Sequence, residues 1–544
     1  MFARIKKSGK YEYLQLVENN KVEGKVKQRV IATVGRLDQI HDKGRVETLI
    51  KSLSRFSEQA LLVLTGKSEP DAVTFRIGPA LIFERLWSNT GIRYALGRLL
   101  KGRKFGFNVE RAVFLTVLHR LMTSGSDRYC DRWRRDFAIA GTEGIKLHHL
   151  YRAMAFLGEE LTDQPGASGI APRCNKDLIE EDMFNTWRNL FTGLELVFFD
   201  TTSIYFEGEG GETLGERGFS KDHRPDLKQM IIGVVITDEG RPICCEMWPG
   251  NTADVTTLIP IGEHMRKRFG IQQFCIVADR GMISAGNIQH LEENGISYIL
   301  GTRMRNDKEV REQVLTCGGR YKEVQPPGSN AKDPSPLKVK EVRHMGRRYI
   351  ICQNVRQAVK DRLTREAIIE ALEKQIASGA KSLVGNKGYR RYVRMEKDSA
   401  SVDRERAKKE ARFDGKYILR TNTDLPADMV ALKHKELWQV ERVFRDVKSM
   451  FETRPIFHQR DDTIRGHVFC SFLALVMRKE LERQLEKAGH IFEWSHIKQD
   501  LQALQETHIE ENGKRLAIRS RAEGVCGKIF QAVGLAMPPT IREI

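Results

Sequence analysis

The chain has 544 residues and carries 90 Lys and Arg against 72 Asp and Glu, which gives a formal net charge of +18 at pH 7. This length exceeds one hydrophobic core, so roughly two to four domains are expected. The positive excess is typical of proteins that bind a phosphate backbone, although a merely basic soluble protein also fits. The longest apolar runs, Met230–Ile236 and Val468–Met477, are too short to span a membrane, and no apolar signal core follows Met1. A cytoplasmic protein without membrane partners is therefore expected.

Cysteine and histidine spacing argues against a disulfide or zinc framework. The nine cysteines contain no C-x-x-C pair, and the 14 histidines show neither H-x-x-x-H nor H-E-x-x-H spacing. Cys244 and Cys245 stand together in a strand-like run, which predicts buried thiols.

The N-terminal third divides into a basic β-hairpin region, residues 1–65, and a helical region, residues 75–185. Strands are predicted at Tyr11–Val17 and Val26–Val34, with a polar turn between them that favours a hairpin. The helical region includes the basic segment Arg128–Arg135. This segment is compatible with a DNA-binding helix or with a solvated basic face, and the sequence favours neither.

Residues 190–305 follow the element order of an RNase H-like core, the first part of a mixed α/β sheet with flanking helices. The order is strand, strand, strand, helix, strand, helix, strand. The predicted elements are Leu194–Phe199, Met230–Ile236, Pro242–Trp248, Val255–Phe269, Phe274–Ala278, Ser284–Asn294 and Ser297–Leu300.

The rest of the chain is predicted to interrupt and then complete this core. Residues 306–430 exceed what one helix and one strand require and are interpreted as an insertion domain. Residues 431–484 form the second part of the core, with a single long helix from about Lys435 to Glu452. Residues 485–544 are predicted to be helical, with a core stripe of Trp494, Ile497, Leu501 and Leu504.

Three carboxylates carry the predicted chemistry. Asp200 and Asp279 each follow an apolar strand, and Glu441 lies on the long helix. Two strand-end carboxylates and one helix carboxylate can hold paired divalent metals, which suit phosphodiester cleavage. Arg445 and Lys448 follow Glu441 at i+4 and i+7, so the three side chains share a face. A surface salt-bridge ladder is the alternative interpretation of that face.

The segments around these acids resemble the DDE transposases of bacterial insertion sequences, particularly the insertion-sequence-four superfamily. The resemblance rests on Phe198–Ser203, Ala278–Met282 and the helix around Glu441. It rests also on Asp222–Gln229, Pro249–Asp254 and Arg454–His458. The glutamate helix of that superfamily carries a tyrosine, arginine, glutamate and lysine signature. Lys448 occupies the lysine position, whereas the arginine and tyrosine positions hold Leu437 and His434.

The resemblance implies a function and its partners. It implies a transposase that binds terminal inverted repeats, cleaves a DNA strand and transfers it to target DNA, as a homodimer or larger assembly near the bacterial nucleoid. Asp200, Asp279 and Glu441 would be the catalytic residues and would bind two Mg²⁺ ions, which Mn²⁺ could replace. Lys448 would bind phosphate, and Arg445 is predicted to supply the missing cation. The alternatives are an RNase H-like nuclease without strand transfer and a DNA-binding protein whose catalysis has lapsed.

Five further residues have simpler predictions. Asp254 is expected to cap the helix that follows it. Asp222 and Asp226 are expected to form an ion-pair network with the neighbouring His223, Arg224 and Lys228, just before a strand. Trp248 and Trp438 are expected in the core, with stacking on an unpaired base as the alternative.

Overall fold

The computed structural model describes residues 2–22, 25–41, 71–163, 171–188, 195–325, 337–377, 389–396, 399–450, 453–511 and 514–544. These residues divide into two units. The first unit comprises Met1–Leu81, Arg135–Ala138 and Phe492–Ile544, and the second comprises Ile82–Arg134 and Ile139–Ile491.

The first unit opens with an antiparallel sheet of three strands, β1 (Phe2–Ser8), β2 (Tyr11–Val22) and β3 (Lys25–Arg36). The predicted hairpin is confirmed as the β2–β3 pair, to which β1 adds a strand. A short helix, α1 (Leu37–His41), and a further strand, β4 (Asp71–Arg76), follow.

Helices then dominate to residue 187, as the sequence predicted. The central helix α4 is buried along nearly its whole length, and α4 and α6 pack against the long helix α14 described below. In α5, Cys130 and Trp133 are buried whereas Arg128 and Arg132 are exposed, so these two arginines of the basic segment present their charges to solvent. The helices are α2 (Gly78–Asn89), α3 (Ile92–Leu100), α4 (Val109–Met122), α5 (Asp127–Trp133), α6 (Leu147–Gly158) and α7 (Asn175–Trp187).

The RNase H-like core has the element order that the sequence predicted. Its strands lie in the order β7-β6-β5-β8-β9. β5 pairs in parallel with β8, and β8 with β9, whereas β6 is antiparallel to both β5 and β7. The elements are β5 (Glu195–Tyr205), β6 (Gln229–Thr237), β7 (Pro242–Pro249), α8 (Asp254–Lys267), β8 (Phe274–Ala278), α9 (Ala285–Glu293) and β9 (Ser297–Gly301).

The predicted insertion continues the core sheet. Its last strand pairs antiparallel with β9, and three more strands extend the sheet in the order β10-β11-β12-β15-β9. A second, two-stranded sheet and two helices complete it. The elements are β10 (Lys322–Val324), β11 (Leu337–His344), β12 (Arg347–Asn354), α10 (Val355–Ala377), β13 (Val393–Glu396), β14 (Ser399–Val402), α11 (Arg404–Ala411) and β15 (Lys416–Thr421).

The predicted glutamate helix begins slightly later than the sequence indicated. Helix α12 (Ala427–Lys435) ends in a tight turn in which the Leu437 N–H bonds to the His434 carbonyl, and α13 (Trp438–Arg445) begins after it. A π-helical turn, Asp446–Met450, follows directly, so the segment is helical from Trp438 to Met450. The change to π-helical hydrogen bonding could not be predicted, because apolar spacing does not distinguish the two hydrogen-bond patterns. Phe451, predicted in the same stripe, lies outside the described residues.

The C-terminal region is mixed rather than helical, so that prediction needs correction. After α14 (Asp461–Lys487), α15 (Trp494–Ala503) and α16 (Cys526–Val533) accompany β16 (Gln505–Glu511), β17 (Lys514–Arg519) and β18 (Ile541–Glu543). These strands form a sheet with β4 in the order β18-β17-β16-β4, a pairing too distant in sequence for local patterns to predict.

The predicted apolar stripe of α15 is confirmed, since Trp494, Ile497, Leu501 and Leu504 are all buried. Within the described residues, no helix is both long and apolar enough to cross a membrane.

Candidate active site

Asp200 and Asp279 lie side by side in the core sheet. Phe199 on β5 is the register partner of Ala278 on β8, and these two strands are parallel. The next residue along each strand is therefore Asp200 on β5 and Asp279 just after β8. Asp279 follows its strand as predicted, but β5 continues to Tyr205, so the prediction that Asp200 ends its strand was wrong. Apolar residues on both strands are fully buried, which fixes the register and with it the two aspartates.

Asp200 is in an environment that disfavours its negative charge. Burial raises the pKa of its carboxyl to about 6, and the charges of Asp279 and Asp254 act in the same direction. Lys221 and the Thr201 N–H, which donates to Asp200 Oδ1 at 2.7 Å, oppose that rise. Acidic groups gathered with one lysine carry excess negative charge, which a hard divalent cation would neutralise.

Asp254 belongs to this acidic group and does not cap its helix. Its Oδ1 accepts a hydrogen bond of 2.6 Å from Thr201 Oγ1, and its Oδ2 lies 2.9 Å from Lys221 Nζ. The N-cap position of α8 is Ala253, and no side chain caps it. The capping prediction was wrong because the carboxylate turns towards β5. Lys221 Nζ also donates to the Thr201 carbonyl and hydroxyl oxygens, each at 2.8 Å.

Glu441 lies on α13, which packs against β5 and β6. Val440, Val443 and Phe444 are the buried residues of this helix, whereas the Glu441 side chain is exposed. In the described part of the chain, the groups of His, Cys, Asp and Glu whose ligand atoms lie within 4.8 Å of one another do not include the predicted triad. The structure thus places the two aspartates on adjacent strands, while the ligand atoms of the three carboxylates do not all lie within that distance of one another.

Lys448 and Arg445 have different surroundings. Lys448 lies in the π-helical turn and is largely buried, with Nζ 2.6 Å from Asp222 Oδ1. Burial lowers the pKa of Lys448, and Arg454 and Lys221 add to that effect while Asp222 opposes it. Arg445 is exposed at the end of α13. Asp222 also pairs with Arg454, so it belongs to an ion-pair network as predicted, but its cations come from distant segments and not from its neighbours in sequence. Asp226 pairs with Arg224 as predicted.

Comparison with known families identifies the chain. Residues 192–477, more than half of the sequence, match the family described as the transposase DDE domain. Residues 3–69 match the N-terminal domain of IS1634 family transposases. The chain belongs to the DDE transposases. It is therefore an enzyme that acts on DNA in transposition, and its domain family depends on divalent metal ions.

One solved structure similar to the transposase is a piggyBac transposase synaptic complex with hairpin DNA, determined by cryo-electron microscopy. The TM-score is 0.38 at 9% identity, over 78% of this chain and 79% of that chain. No curated protein matches the sequence.

A second acidic cluster in the transposase is neutralised by its own cations. Asp177, Glu180 and Glu246 are buried and lie within metal-ligand distance of one another. The buried Arg268 guanidinium lies 2.6 Å from both Glu180 and Glu246, and Lys176 Nζ lies 2.5 Å from Asp177. These cations occupy the space between the carboxylates, so the cluster is a buried ion-pair network.

A third cluster contains Asp127, His458 and His467. The Arg120 guanidinium lies 2.9 Å from His467 Nδ1, and His458 Nε2 lies 3.1 Å from the same atom. His467 Nε2 faces the Thr453 carbonyl at 3.3 Å. An arginine against the ring nitrogen leaves no place for a metal ion, so this cluster is a hydrogen-bond network.

His434, at the tyrosine position of the signature, lies close enough to Asp279 to feel its charge. Burial lowers the pKa of its imidazole to about 4, although the charge of Asp279 opposes the shift. The ring stacks against Tyr417, with centroids 5.8 Å apart. Of the two tryptophans predicted in the core, Trp248 is fully buried, whereas Trp438 is 52% exposed and that prediction was wrong.

Sequence reasoning missed Lys221, Thr201 and Arg454 as neighbours of the site. Their signal was present, since Lys221 precedes Asp222 and Thr201 follows Asp200. Arg454 begins the third of the segments that carry the family resemblance. Thr201 lies on the same strand as Asp200, whereas Lys221 and Arg454 reach the site from segments outside the strands and helices, where no spacing predicts a contact.

Proposed function

We propose that this transposase binds the terminal inverted repeats of an insertion sequence, hydrolyses one strand to expose a 3′ hydroxyl, and joins that hydroxyl to target DNA. The single observation that carries the proposal is the side-by-side placement of Asp200 and Asp279, with Asp200 in an environment that disfavours its charge. A bound cation would stabilise the negative charge of such a pair, and phosphodiester cleavage uses a cation in this position.

Asp200, Asp279 and Glu441 would hold two Mg²⁺ ions, and Mn²⁺ would substitute. When bound, such ions activate the attacking oxygen and stabilise the leaving oxygen. The Thr201 N–H orients Asp200, and α13 carries Glu441 beside β5. Because Glu441 is exposed, its carboxylate can turn towards the aspartates without first leaving a packed position.

Lys448 and Arg445 would bind DNA phosphates near the scissile bond. Lys448 would act as a largely desolvated charge, and Arg445 would present a fork that suits two phosphate oxygens. Both follow Glu441 within the same segment, so a strand held by these cations would lie beside the third carboxylate.

The substrate class and assembly follow from the same chemistry. The net charge of +18 suits double-stranded DNA, both terminal repeats and target. Joining two DNA ends requires two active sites, which a homodimer or larger assembly would provide. We assign the chain to the insertion-sequence-four superfamily on its glutamate-helix segment, and place it in the bacterial cytoplasm at the nucleoid.

A cleavage and joining assay tests the proposal. The substrate is labelled duplex carrying the inverted repeats that flank the gene. Asp200→Asn, Asp279→Asn and Glu441→Gln should each lower cleavage by at least roughly 100-fold while leaving binding intact, because each removes ligand charge at nearly constant volume. Asp226→Asn is the matched control, since that aspartate is exposed and pairs only with Arg224 among the described residues.

The three functional hypotheses give different products. Cleavage with joined strands supports the proposal. Cleavage without joining indicates a nuclease, and binding without metal-dependent nicking indicates lapsed catalysis. A triad variant with near-native cleavage would remove its residue from the site.

A further inference from the structure

Arg454 and Lys448 share one carboxylate at the edge of the candidate active site. Asp222 Oδ1 lies 2.6 Å from Lys448 Nζ and 2.5 Å from Arg454 Nη1. The Asp222 side chain is 5% exposed, so this is a largely desolvated contact. Two cations against one carboxylate leave a net charge of about +1, which matches one phosphodiester group.

Asp222 contacts its two cations through only one of its two carboxylate oxygens. In the described part of the chain, its Oδ2 is buried and has no hydrogen-bond partner, so both cations crowd onto Oδ1. Arginine carries five N–H donors, and the closest contact of the Arg454 guanidinium with Asp222 is through Nη1. Among the described residues Asp222 is the one carboxylate that pairs with Arg454, so part of the guanidinium fork is available for a second anion.

Arg454 is also the accessible member of the pair. Its side chain is 30% exposed, against 11% for Lys448. Its guanidinium lies over the ring of Tyr205, 5.8 Å from the centroid, and Tyr205 ends the strand that carries Asp200. The cation is therefore tied to the same strand as the catalytic aspartate.

We propose that Lys448 and Arg454 form a phosphate-binding subsite for the DNA backbone, in which Arg454 contacts the phosphodiester and Asp222 positions both cations. This inference rests on the proposed function of Lys448 and adds two residues to it. Arg454 supplies a planar guanidinium fork next to Lys448. It lies after Lys448 in sequence and is not one of the residues of the glutamate-helix signature. Asp222 acts through the two cations and does not itself contact DNA.

The experiment measures duplex binding and strand cleavage separately. Binding to a mixed-sequence duplex without metal is titrated at several salt concentrations, and cleavage is measured on the repeat-bearing duplex. Arg454→Ala should make the log-log salt slope shallower by about 0.9, the value for one lost phosphate contact. It should also slow cleavage by about 10- to 100-fold with little change in melting temperature. Arg454→Lys should keep the slope and recover only part of the cleavage rate, because lysine lacks the fork.

Asp222→Asn should change binding in the opposite direction. Removing its charge leaves two uncompensated cations, so duplex affinity at low salt should rise while cleavage falls. A structural role would lower the melting temperature without raising affinity.

Arg343→Ala is the control for Arg454→Ala, because it removes one positive charge far from the site. Arg343 is 75% exposed and lies on β11, five strand positions from β5, which is about 24 Å at the usual strand spacing. This variant should cleave like the wild type.

An Arg454→Ala protein with wild-type slope and cleavage would overturn the inference, as would an Asp222→Asn protein that is only less stable. Failure of the wild type to cleave would count against the proposed function. In that case the salt dependence of duplex binding by the Arg454 and Asp222 variants would still show whether these residues form a phosphate-binding subsite.

Discussion

The Thr201 hydroxyl donates a hydrogen bond of 2.6 Å to Asp254 Oδ1 and so joins β5 to the first turn of α8. Thr201 directly follows Asp200, and α8 leads into β8, which Asp279 directly follows. This bond therefore links the elements that carry the two aspartates. Lys221 strengthens the link, since its ammonium contacts Asp254 and both oxygens of Thr201.

Removing the Thr201 hydroxyl should weaken that link at nearly constant volume. We expect Thr201→Val to lower the free energy of unfolding by about 1 to 3 kcal/mol, because a buried hydroxyl bonded to a carboxylate is lost. Chemical denaturation measures the change. Thr201→Ser keeps the hydroxyl and serves as the control. Wild-type stability of Thr201→Val would show that this hydrogen bond does not stabilise the fold.

Replacing Asp200 by asparagine should stabilise the metal-free protein. The pKa of Asp200 is raised to about 6, so the stability that its protonation contributes is present below about pH 4 and is lost as the pH rises to about 6. At neutral pH the Asp200→Asn protein should gain about 1 to 3 kcal/mol in free energy of unfolding. Melting curves measured with a chelator across this pH range show the gain.

Adding Mg²⁺ provides the counter-test for Asp200. The wild type should melt at a higher temperature with Mg²⁺, whereas Asp200→Asn should respond much less. Equal stabilisation of both proteins by Mg²⁺ would show that Asp200 does not bind the ion.

The buried ion-pair network should be sensitive to loss of its central arginine. Arg268 is 1% exposed and contacts four carboxylates, Asp177, Glu180, Glu181 and Glu246. We expect Arg268→Leu to lower the free energy of unfolding by about 3 to 5 kcal/mol, because buried carboxylates lose their partner.

The neighbouring Lys267 is the control for Arg268. It is 59% exposed and pairs with Glu263 on the helix surface. Lys267→Ala should change the free energy of unfolding by less than about 1 kcal/mol. Similar losses in the two variants would contradict a special role for the buried network.

Alanine variants of Arg445 and Leu437 should distinguish phosphate binding by Arg445 from packing by Leu437. Arg445 is exposed, so Arg445→Ala should slow cleavage with little change in melting temperature. Leu437 is partly buried, so Leu437→Ala should mainly destabilise, by about 1 to 3 kcal/mol. Parallel cleavage and melting measurements decide the matter. Unimpaired cleavage by Arg445→Ala would leave the phosphate contacts to Lys448 and to cations outside α13.

The core topology could be predicted from sequence because its signals are local. Each strand from β5 to β9 is a short apolar run, and the helices between them have helical periodicity. Asp200 and Asp279 could be proposed as a pair because both follow such runs. The side-by-side arrangement then follows from parallel pairing of β5 and β8.

The remaining features depend on contacts between distant segments. No local sequence pattern indicates that β15 pairs with β9 or that β16 pairs with β4. Asp254 is held at the site by its hydrogen bond to Thr201, which is far from it in sequence. The sequence did not indicate this contact, because an aspartate at the start of a helix is usually a capping residue. The turn at Leu437 preserves apolar spacing, so periodicity indicated a helix start at about Lys435, whereas the helix begins at Trp438.

The pairing of β15 with β9 limits how the chain can be shortened. Removing residues 306–430 would strip β9 of its neighbour and expose a row of backbone amide and carbonyl groups along a hydrophobic strand. Bare edges of this kind recruit strands from other molecules. A transposase trimmed to its core would therefore tend to self-associate, and the insertion protects the solubility of the fold that it interrupts.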